Sequence, residues 1–490
     1  MRTRRFILGT VALVGLGLTC GAHAQDDAVA TGAPKPGAWI EPFTAGNYAH
    51  AQELLQQELV ESPKDPFLNY NLACTLAMQH QIDEAAERLL DAITFGFVDF
   101  ARMSRDANLA PLHAHKTYQL IQHGWRELLD ARGDADFDAA REALGQRYTF
   151  ERSTRLRLSF ASAAAPDSFE SAKQEIERVA QWADEHVFPP EWHSDEQNRP
   201  PPWVLVVLPT PADFARLGGV PGIGGYYDKD HKRLLTQDIG PTLRHEFFHV
   251  LHWRHMDSLA QDHAYWLMEG LASLLEDVDL DDEGNYVLAP SWRTNIARRL
   301  AKMGRLTPLA QLLSMPRSRF MGSRSRANYA QARAICLYLY DTDKLKPWYA
   351  NYVEFFDEDQ TGELAFETVF NTPLAQIQRD YRQWLIDLPQ VADIDRPAEA
   401  SLGVAVSPGS GDGPRVSEFV SRSSGLFPTD EKLRRRDVIL ALDGRPTPTL
   451  DDLQRVLGAF APGQVVTLTV RRSSRTLDVP LKLTTRNRGG

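Results

Sequence analysis

Cysteine and basic residues are both scarce in this chain of 490 residues. It has three cysteines, and its 54 lysines and arginines are outnumbered by 65 acidic residues, which leaves a formal net charge of -11. Such a chain is a poor partner for nucleic acid, because phosphate contacts need a basic face. We expect Cys74 and Cys336 to be buried free thiols; a disulfide between them is the alternative, and a catalytic cysteine is not expected.

Long apolar runs are also lacking beyond the N-terminus, so no segment of the mature chain is expected to span a membrane. Residues 1–24 themselves have the pattern of a signal peptide: arginines at the start, an apolar core over 6–18 and an A-x-A cleavage site at 22–24. Removing the three arginines of this segment changes the net charge from -11 to -14. We expect export to the periplasm of a Gram-negative cell, by either the general or the twin-arginine route. A lipoprotein anchored at Cys20 is the less favoured alternative.

The remaining composition, 43% hydrophobic and 24% charged, is typical of a globular protein, and the length favours about three domains. The first, over residues 41–130, consists of helix pairs with an internal offset of 34 residues, which aligns Ala51 with Ala85. This offset resembles the tetratricopeptide repeat. Such a resemblance implies a groove for a protein partner; support for the next domain is the alternative. Because repeats bury little surface alone, we expect the array to dock on that domain.

A second domain, over residues 148–390, starts with mixed elements. Alternation predicts a half-buried strand over 155–160, and helical spacing predicts a helix over 168–187. A proline-rich loop over 189–202 precedes an apolar strand over 203–208. Residues 224–237 are predicted to form a hairpin or edge strand. A free edge there could pair with an extended peptide; an edge covered by a loop is the alternative.

The rest of the chain is predicted to be helical over 292–390, with a short linker over 389–400. Residues 401–485 then have the pattern of short strands with one helix over 450–458. The predicted architecture is therefore multidomain.

The motif HEFFH, at residues 245–249, carries the most specific chemical signal in the chain. On a helix, His245 and His249 lie about 40° apart around the axis and about 6 Å apart along it, so both imidazoles can meet one metal ion. Glu246 lies beside them and can deprotonate a metal-bound water. Catalytic zinc needs a third protein ligand. Glu269, in the apolar segment WLMEGLA, is the best candidate, because a buried carboxylate without a partner would be costly.

His255 is a rival third ligand, since it lies where HExxHxxGxxH enzymes place theirs. Those enzymes need glycine at position 252 to break the helix, and this chain has His252. On a continuous helix His255 would lie about 15 Å along the axis from His245. Glu269 is therefore preferred, and His252, His255 and His263 are expected to face solvent or to surround the ligands.

HExxH followed by W-x-x-E-G-x-A resembles the gluzincins, the zinc peptidases that include thermolysin and the large aminopeptidases. The resemblance implies an α+β zincin domain with a helical C-terminal half, Zn²⁺ bound by His245, His249 and Glu269, and Glu246 as general base. The family also places a tyrosine near the oxyanion. Tyr329, 60 residues after Glu269, is the candidate, although alanine replaces the family's glycine three residues later. Packing in the core is the alternative for Tyr329.

Two departures from the family bear on mechanism. Ser273 stands where thermolysin has an aspartate that steadies a zinc histidine. The aminopeptidases' G-x-M-E-N segment is absent from residues 224–228, so an endopeptidase is expected rather than an exopeptidase. The acidic segment 279–284 begins like a calcium loop, but Pro290 occupies the position of its last ligand, and a solvated loop is expected.

Residues 400–486 resemble a PDZ domain. Residues 401–406 stand where that family has its carboxylate-binding loop and following strand, and residues 433–444 match its G-D-V-I segment with Arg436 in place of glycine. The resemblance implies a mainly-β domain that binds a protein C-terminus. An intramolecular lid is the alternative.

Taken in order, these segments predict an all-α repeat, an α+β zincin domain and a small mainly-β PDZ-like domain. The predicted function is zinc-dependent hydrolysis of peptide bonds in exported or envelope proteins, with the flanking domains recruiting substrates or partners. The alternative is a periplasmic scaffold whose zincin core has lost its activity.

Overall fold

The computed structural model describes residues 37–189, 199–219, 224–409, 413–419, 433–473 and 475–486. The predicted signal peptide, with Cys20 and its cleavage site, lies outside these residues. Cys74 and Cys336 are buried and free, as predicted. Among the described helices, none has both the length and the apolar composition to cross a membrane.

The N-terminal part is helical, and its helices recur at the predicted offset. Three main helices start 34 residues apart, at Tyr48, Ile82 and Lys116. The second helix of the second pair is replaced by a short helix and a 3-10 turn, because Pro111 lies within that turn. The elements are α1 Ile40–Thr44, α2 Tyr48–Glu61, α3 Pro66–Met78, α4 Ile82–Phe95, α5 Phe100–Arg105, a 3-10 helix Ala107–Leu112, α6 Lys116–His123, α7 Trp125–Leu144 and a 3-10 turn Gly145–Arg147.

A five-stranded mixed sheet follows, with strand order β1-β2-β3-β5-β4. The central strands β2, β3 and β5 run parallel, while β1 and β4 are antiparallel edges. Helices α8 and α10 cover one face, and α9 with the end of α7 covers the other. The elements are β1 Thr149–Ser153, β2 Leu158–Ser162, α8 Pro166–His186, β3 Val204–Leu208, α9 Pro211–Arg216, β4 Gly225–Asp228, β5 Arg233–Thr236 and α10 Pro241–Leu259.

The strand predicted over 155–160 is wrong in its position. Strand β2 starts at Leu158, and residues 154–157 connect it to β1. All five residues of β2 are buried, because the sheet is covered on both faces, so the strand does not alternate between core and solvent. The hairpin predicted over 224–237 is present as β4 and β5, with β4 at the sheet edge.

The second half of this region is helical, as predicted for 292–390. Its first helix, α11, packs closely on α15: a Cβ at Gly270 would come within 2.8 Å of the Ala332 carbonyl oxygen. The glycine after Glu269 is thus required by helix packing. The elements are α11 Tyr265–Leu274, β6 Val278–Leu280, β7 Tyr286–Leu288, α12 Trp292–Lys302, α13 Leu309–Leu313, α14 Arg317–Phe320, α15 Ser325–Asp341, α16 Leu345–Glu354, α17 Glu363–Phe370 and α18 Leu374–Asp387.

The C-terminal part is mainly β, with one helix over nearly the predicted range. Its main sheet has the order β14-β13-β11-β10-β9, which leaves β9 at one end. The elements are β8 Ala400–Ser401, β9 Val404–Ser407, β10 Arg415–Phe419, β11 Val438–Leu442, β12 Arg445–Pro446, α19 Leu450–Leu457, β13 Val465–Arg472, β14 Arg475–Lys482 and β15 Thr484–Thr485.

Both flanking parts pack on the central one. At the repeat side, Lys232 forms ion pairs with Asp99 and Asp257, and Trp125 Nε1 donates to the Pro200 carbonyl at 3.1 Å. The expected docking of the repeats is therefore confirmed. At the C-terminal side, Arg455 Nη1 lies 2.8 Å from Asp279 Oδ1.

Candidate metal centre

Two imidazoles of α10 come together one helical turn apart. Helix α10 begins with Pro241 in its first turn. Asp238 Oδ1 accepts a hydrogen bond from the Thr242 amide at 3.0 Å and so caps the start of the helix. His245 Nε2 and His249 Nε2 lie 3.1 Å from each other. The i,i+4 spacing expected from the sequence is thus realised.

Glu269 reaches the same point from α11, which packs against α10. Its Oε2 lies 3.4 Å from His245 Nε2 and 3.8 Å from His249 Nε2. Four ligands arranged tetrahedrally at about 2.0–2.1 Å from zinc stand about 3.3–3.4 Å from one another. The three donors therefore have the spacing and the chemistry of a zinc site. Among the described residues, these three form the group of histidine, cysteine or acidic side chains whose donor atoms all lie within 4.8 Å of one another.

Carboxylates dominate the charge around the two imidazoles. Burial by itself would raise the pKa of Glu269, but His245 and His249 outweigh it and lower that pKa to about 2. Burial would lower the pKa of His245, yet Glu269 and Glu276 raise it to about 10. Burial lowers the pKa of His249 to about 4. The carboxylates therefore favour a positive charge on His245, whereas burial keeps His249 neutral.

Glu246 lies beside this cluster and is held by the sheet edge. Its Oε2 accepts a hydrogen bond from the backbone N–H of Tyr227, on β4, at 2.9 Å. Burial raises the pKa of Glu246 to about 7, although His245 offsets part of the rise. A carboxylate with a pKa near 7 is suited to take and return a proton at neutral pH.

Glu276, which the sequence analysis missed, stands behind His245. Its Oε1 lies 2.9 Å from His245 Nδ1, within ion-pair distance although the ring N–H is not well aligned for a hydrogen bond. Arg293 binds the same carboxylate with two bonds, at 2.7 and 2.9 Å. Burial would raise the pKa of Glu276, but Arg293 and His245 lower it to about 2. An ionised carboxylate is therefore fixed against the distal nitrogen of His245.

Hydrogen bonds from Arg244 hold the segment that carries Glu276 on α10. Arg244, adjacent to His245, donates to the carbonyl oxygens of Leu275 and Glu276 at 2.6 and 2.8 Å. Its third bond, at 2.7 Å, goes to Glu175 on α8. One buried guanidinium thus joins three elements around the cluster.

Ser273, four residues after Glu269, does not take the place of the aspartate that steadies a ligand in thermolysin. Its hydroxyl is buried and has no hydrogen-bond partner, and its carbonyl accepts from Arg333 at 2.9 Å. Sequence spacing indicated Ser273 for this role, whereas the acidic group beside His245 is Glu276, which follows the end of α11.

Tyr329 lies at the rim of the cluster together with Tyr265, which the sequence analysis did not single out. Their hydroxyl oxygens are 3.4 Å apart. Burial and then the Glu269 carboxylate raise the pKa of both phenols, that of Tyr265 to about 12. Tyr329 is partly buried and its ring packs against the core, while its hydroxyl lies at the rim.

His252, His255 and His263 do not face solvent, contrary to the expectation. All three are buried, between 0 and 4% exposed. His252 Nε2 lies 2.9 Å from His263 Nδ1, and His255 Nδ1 lies 2.8 Å from the Tyr349 hydroxyl. The reason is that α10 is covered on all sides, so that it has no solvent-facing stripe. This histidine cluster lies further along the helix than the donors and supplies none of them.

In the C-terminal part, Arg436 adopts φ +73°, in the left-handed region. This explains why the resembled family has glycine there. Strand β9, at the end of its sheet, directly follows residues 401–403, where the PDZ family has its carboxylate-binding loop.

One of the comparisons with known proteins identifies the C-terminal part. Among solved structures, the HtrA-type protease AlgW with decapeptide is similar at 21% identity and TM-score 0.16, over 23% of this chain and 36% of that one. An aminopeptidase N family protein from Idiomarina loihiensis is similar at 14% identity and TM-score 0.25, over 69% of this chain and 67% of that one. TM-scores this low say nothing about the activity of this chain. None of the curated protein sequences matches it. The family model for the PDZ domain matches residues 400–483, so the chain carries a PDZ domain at its C-terminal end.

Proposed function

We propose that this protein is a zinc-dependent endopeptidase of the gluzincin type that cleaves exported or envelope proteins. The observation that carries the proposal is the triangle of His245, His249 and Glu269 donors, with Glu246 beside it. Its donor spacing of 3.1–3.8 Å fits zinc. Two imidazoles and one carboxylate are also the donor set of catalytic rather than structural zinc sites.

Zinc, when bound, would lower the pKa of a water and polarise the scissile carbonyl. Glu246 can take the proton from that water and deliver it to the leaving amine, because its carboxylate lies beside the donors of the site. The Tyr227 amide fixes one Glu246 oxygen, which leaves the other for the water. Tyr329 can donate to the carbonyl oxygen as it gains negative charge.

An extended substrate can pair with β4. The Tyr227 N–H points away from β5, since it reaches Glu246. That N–H is therefore taken, but β4 is an edge strand of the sheet, and we propose that a peptide strand adds along this edge next to the metal centre. Residues 224–228 lack the family's exopeptidase segment, which supports an endopeptidase.

The other domains fit a protease that receives protein chains. We propose that the PDZ domain binds a protein C-terminus and that the helical repeats bind a protein partner. We also propose that the protein is exported and acts in the periplasm. A scaffold that has lost its catalytic activity would keep these two binding functions.

Cleavage of unfolded, fluorescently labelled casein by the zinc-loaded protein tests the proposal. Glu246→Gln removes the base while keeping the Tyr227 contact, and Glu283→Gln changes an exposed glutamate of the β6–β7 turn in the same way. We expect wild type and Glu283→Gln to cleave casein. Glu246→Gln should not cleave it, although it binds the same amount of zinc. Zinc binding without any cleavage that depends on Glu246 would contradict the proposal and favour the scaffold.

A further inference from the structure

Two phenols from different elements converge at the rim of the metal centre. Tyr265 is the first residue of α11 and lies one helical turn before Glu269, so the two side chains share a face of that helix. Tyr329 comes from α15. Their hydroxyls are 3.4 Å apart, and the Glu269 carboxylate raises the pKa of both phenols.

The rings are fixed by the core behind them. Phe320, which is fully buried, meets both rings edge-to-face, with centroid distances of 5.2 Å to Tyr265 and 5.1 Å to Tyr329. The Asn328 side-chain amide donates to the Phe320 carbonyl at 2.9 Å and holds that segment on α15. Both hydroxyls are thus held in place by packing before any ligand arrives, as catalytic donors must be.

The hydroxyls have weak partners on their open side. Tyr265 and Tyr329 donate to the thioether sulfur of Met321 at 3.3 and 3.5 Å. A thioether is a weak acceptor, and Met321 is 49% exposed at the rim. A carbonyl oxygen that gains negative charge is a much better acceptor, so it can draw both hydroxyls away from the sulfur.

We propose that Tyr265 is a second catalytic hydroxyl, which acts with Tyr329 on the carbonyl oxygen of the scissile bond. This inference rests on the proposed peptidase function and extends it. The carbonyl oxygen of the substrate would accept from both phenols beside Glu269, while Glu246 takes the proton of the attacking water. Two hydroxyls would then share the charge that one tyrosine would carry alone.

Tyr265→Phe and Tyr329→Phe each remove one hydroxyl and leave the Phe320 contact intact. Tyr338→Phe makes the same change on α15, at a buried tyrosine stacked on Phe370, and serves as the control. On labelled casein we expect kcat to fall about 100-fold or more in each rim variant, because loss of one oxyanion donor costs about 100- to 1000-fold in kcat. KM and zinc content should stay within twofold, and the control should match wild type.

Binding gives a second readout. The affinity for a dipeptide phosphonamidate, whose tetrahedral oxygens imitate the transition state, should weaken in Tyr265→Phe by about the same factor as kcat/KM. A kcat within twofold of wild type would overturn the assignment. A raised KM with unchanged kcat would overturn it too, because Tyr265 would then contact only the bound ground state.

If Tyr265→Phe does not retain zinc, Tyr265→His is compared with Tyr265→Leu. The variant with an N–H donor must be the faster one for the assignment to stand. Failure of the proposed function looks different, since wild type itself would then show no cleavage that depends on Glu246. An active wild type with an unaffected Tyr265→Phe variant contradicts the inference alone.

Discussion

Replacing Glu276 by glutamine removes the negative charge behind His245 at almost constant shape. The carboxylate lies 2.9 Å from His245 Nδ1 and accepts two bonds from Arg293. The amide oxygen of glutamine can still accept from Arg293, so we expect the fold to remain. What is lost is the ionised group that orients the ring and raises the basicity of its other nitrogen.

The expected magnitude follows from the position of Glu276 directly behind a metal donor. Loss of such a partner costs about 10- to 100-fold in metal affinity, which corresponds to about 1.4–2.7 kcal/mol. Arg293 holds this carboxylate in place with two hydrogen bonds, so the whole effect is expected from loss of its charge and not from a change in its position. No such loss is expected for Ser273→Ala, whose hydroxyl has no partner.

Competition with a chromophoric chelator measures zinc affinity without reference to activity. We expect Glu276→Gln to release zinc at a chelator concentration 10- to 100-fold lower than wild type, while Ser273→Ala and the exposed Glu283→Gln match wild type. A Glu276→Gln affinity within twofold of wild type would refute the reasoning. Equal losses in Glu276→Gln and Ser273→Ala would refute it as well, because they would point to a general disturbance around α11.

Three further predictions concern stability and the site rim. Burial and then His255 lower the pKa of His263 to about 3, whereas its value in the unfolded chain is about 6.5. The folded protein therefore loses stability as the pH falls from about 6.5 towards 3. At pH 5 the contribution of His263 to this loss is about 2 kcal/mol. Unfolding by urea at pH 7 and pH 5 should show a loss about 2 kcal/mol smaller in His263→Gln than in wild type, because buried His249 and His252, whose pKa values burial also lowers, contribute to the loss in both proteins. Hydrogen peroxide should oxidise exposed Met321 to the sulfoxide, whose oxygen accepts more strongly from the rim hydroxyls, and should lower casein cleavage several-fold. Lys232→Met removes the buried cation shared by Asp99 and Asp257 and leaves Asp257 with Arg102, 3.6 Å away, so calorimetry should show a loss of about 3 kcal/mol.

Each of these has a matched control. An unchanged pH dependence in His263→Gln would contradict the role of that histidine. Met321→Leu should resist peroxide, and equal inactivation of this variant would show that another residue is oxidised. Arg88→Met breaks an exposed ion pair with Asp91 and should cost less than about 1 kcal/mol. A loss as small in Lys232→Met would mean that the ion pairs are not needed for docking of the repeats.

Features set by local spacing were predictable from the sequence. The meeting of His245 and His249 follows from one helical turn, and the 34-residue recurrence of the repeat helices follows from a regular unit. Glu269 was identified because a buried carboxylate needs a partner. Each of these features depends on spacing along the chain or on the cost of burying a charge, and both can be judged from the sequence.

Features set by tertiary packing were not predictable. Glu276 lies against His245 because Arg244 holds its segment on α10, and β6 and β7 return the chain to α12, whose Arg293 binds the same carboxylate. Tyr265 and Tyr329 meet across two helices, joined by Phe320. The burial of His252 reflects cover from neighbouring helices, which a helical pattern in α10 does not reveal.

The packing of the PDZ domain on α10 limits how the two can diverge in evolution. Gly240 precedes the first residue of α10, and a Cβ there would come within 2.6 Å of Pro448 Cβ, just before α19. A residue with a side chain at position 240 therefore needs a smaller residue, or a shifted loop, at position 448. Relatives should show paired changes at these two positions. Exchange of the whole PDZ domain between relatives should fail unless position 240 is exchanged with it.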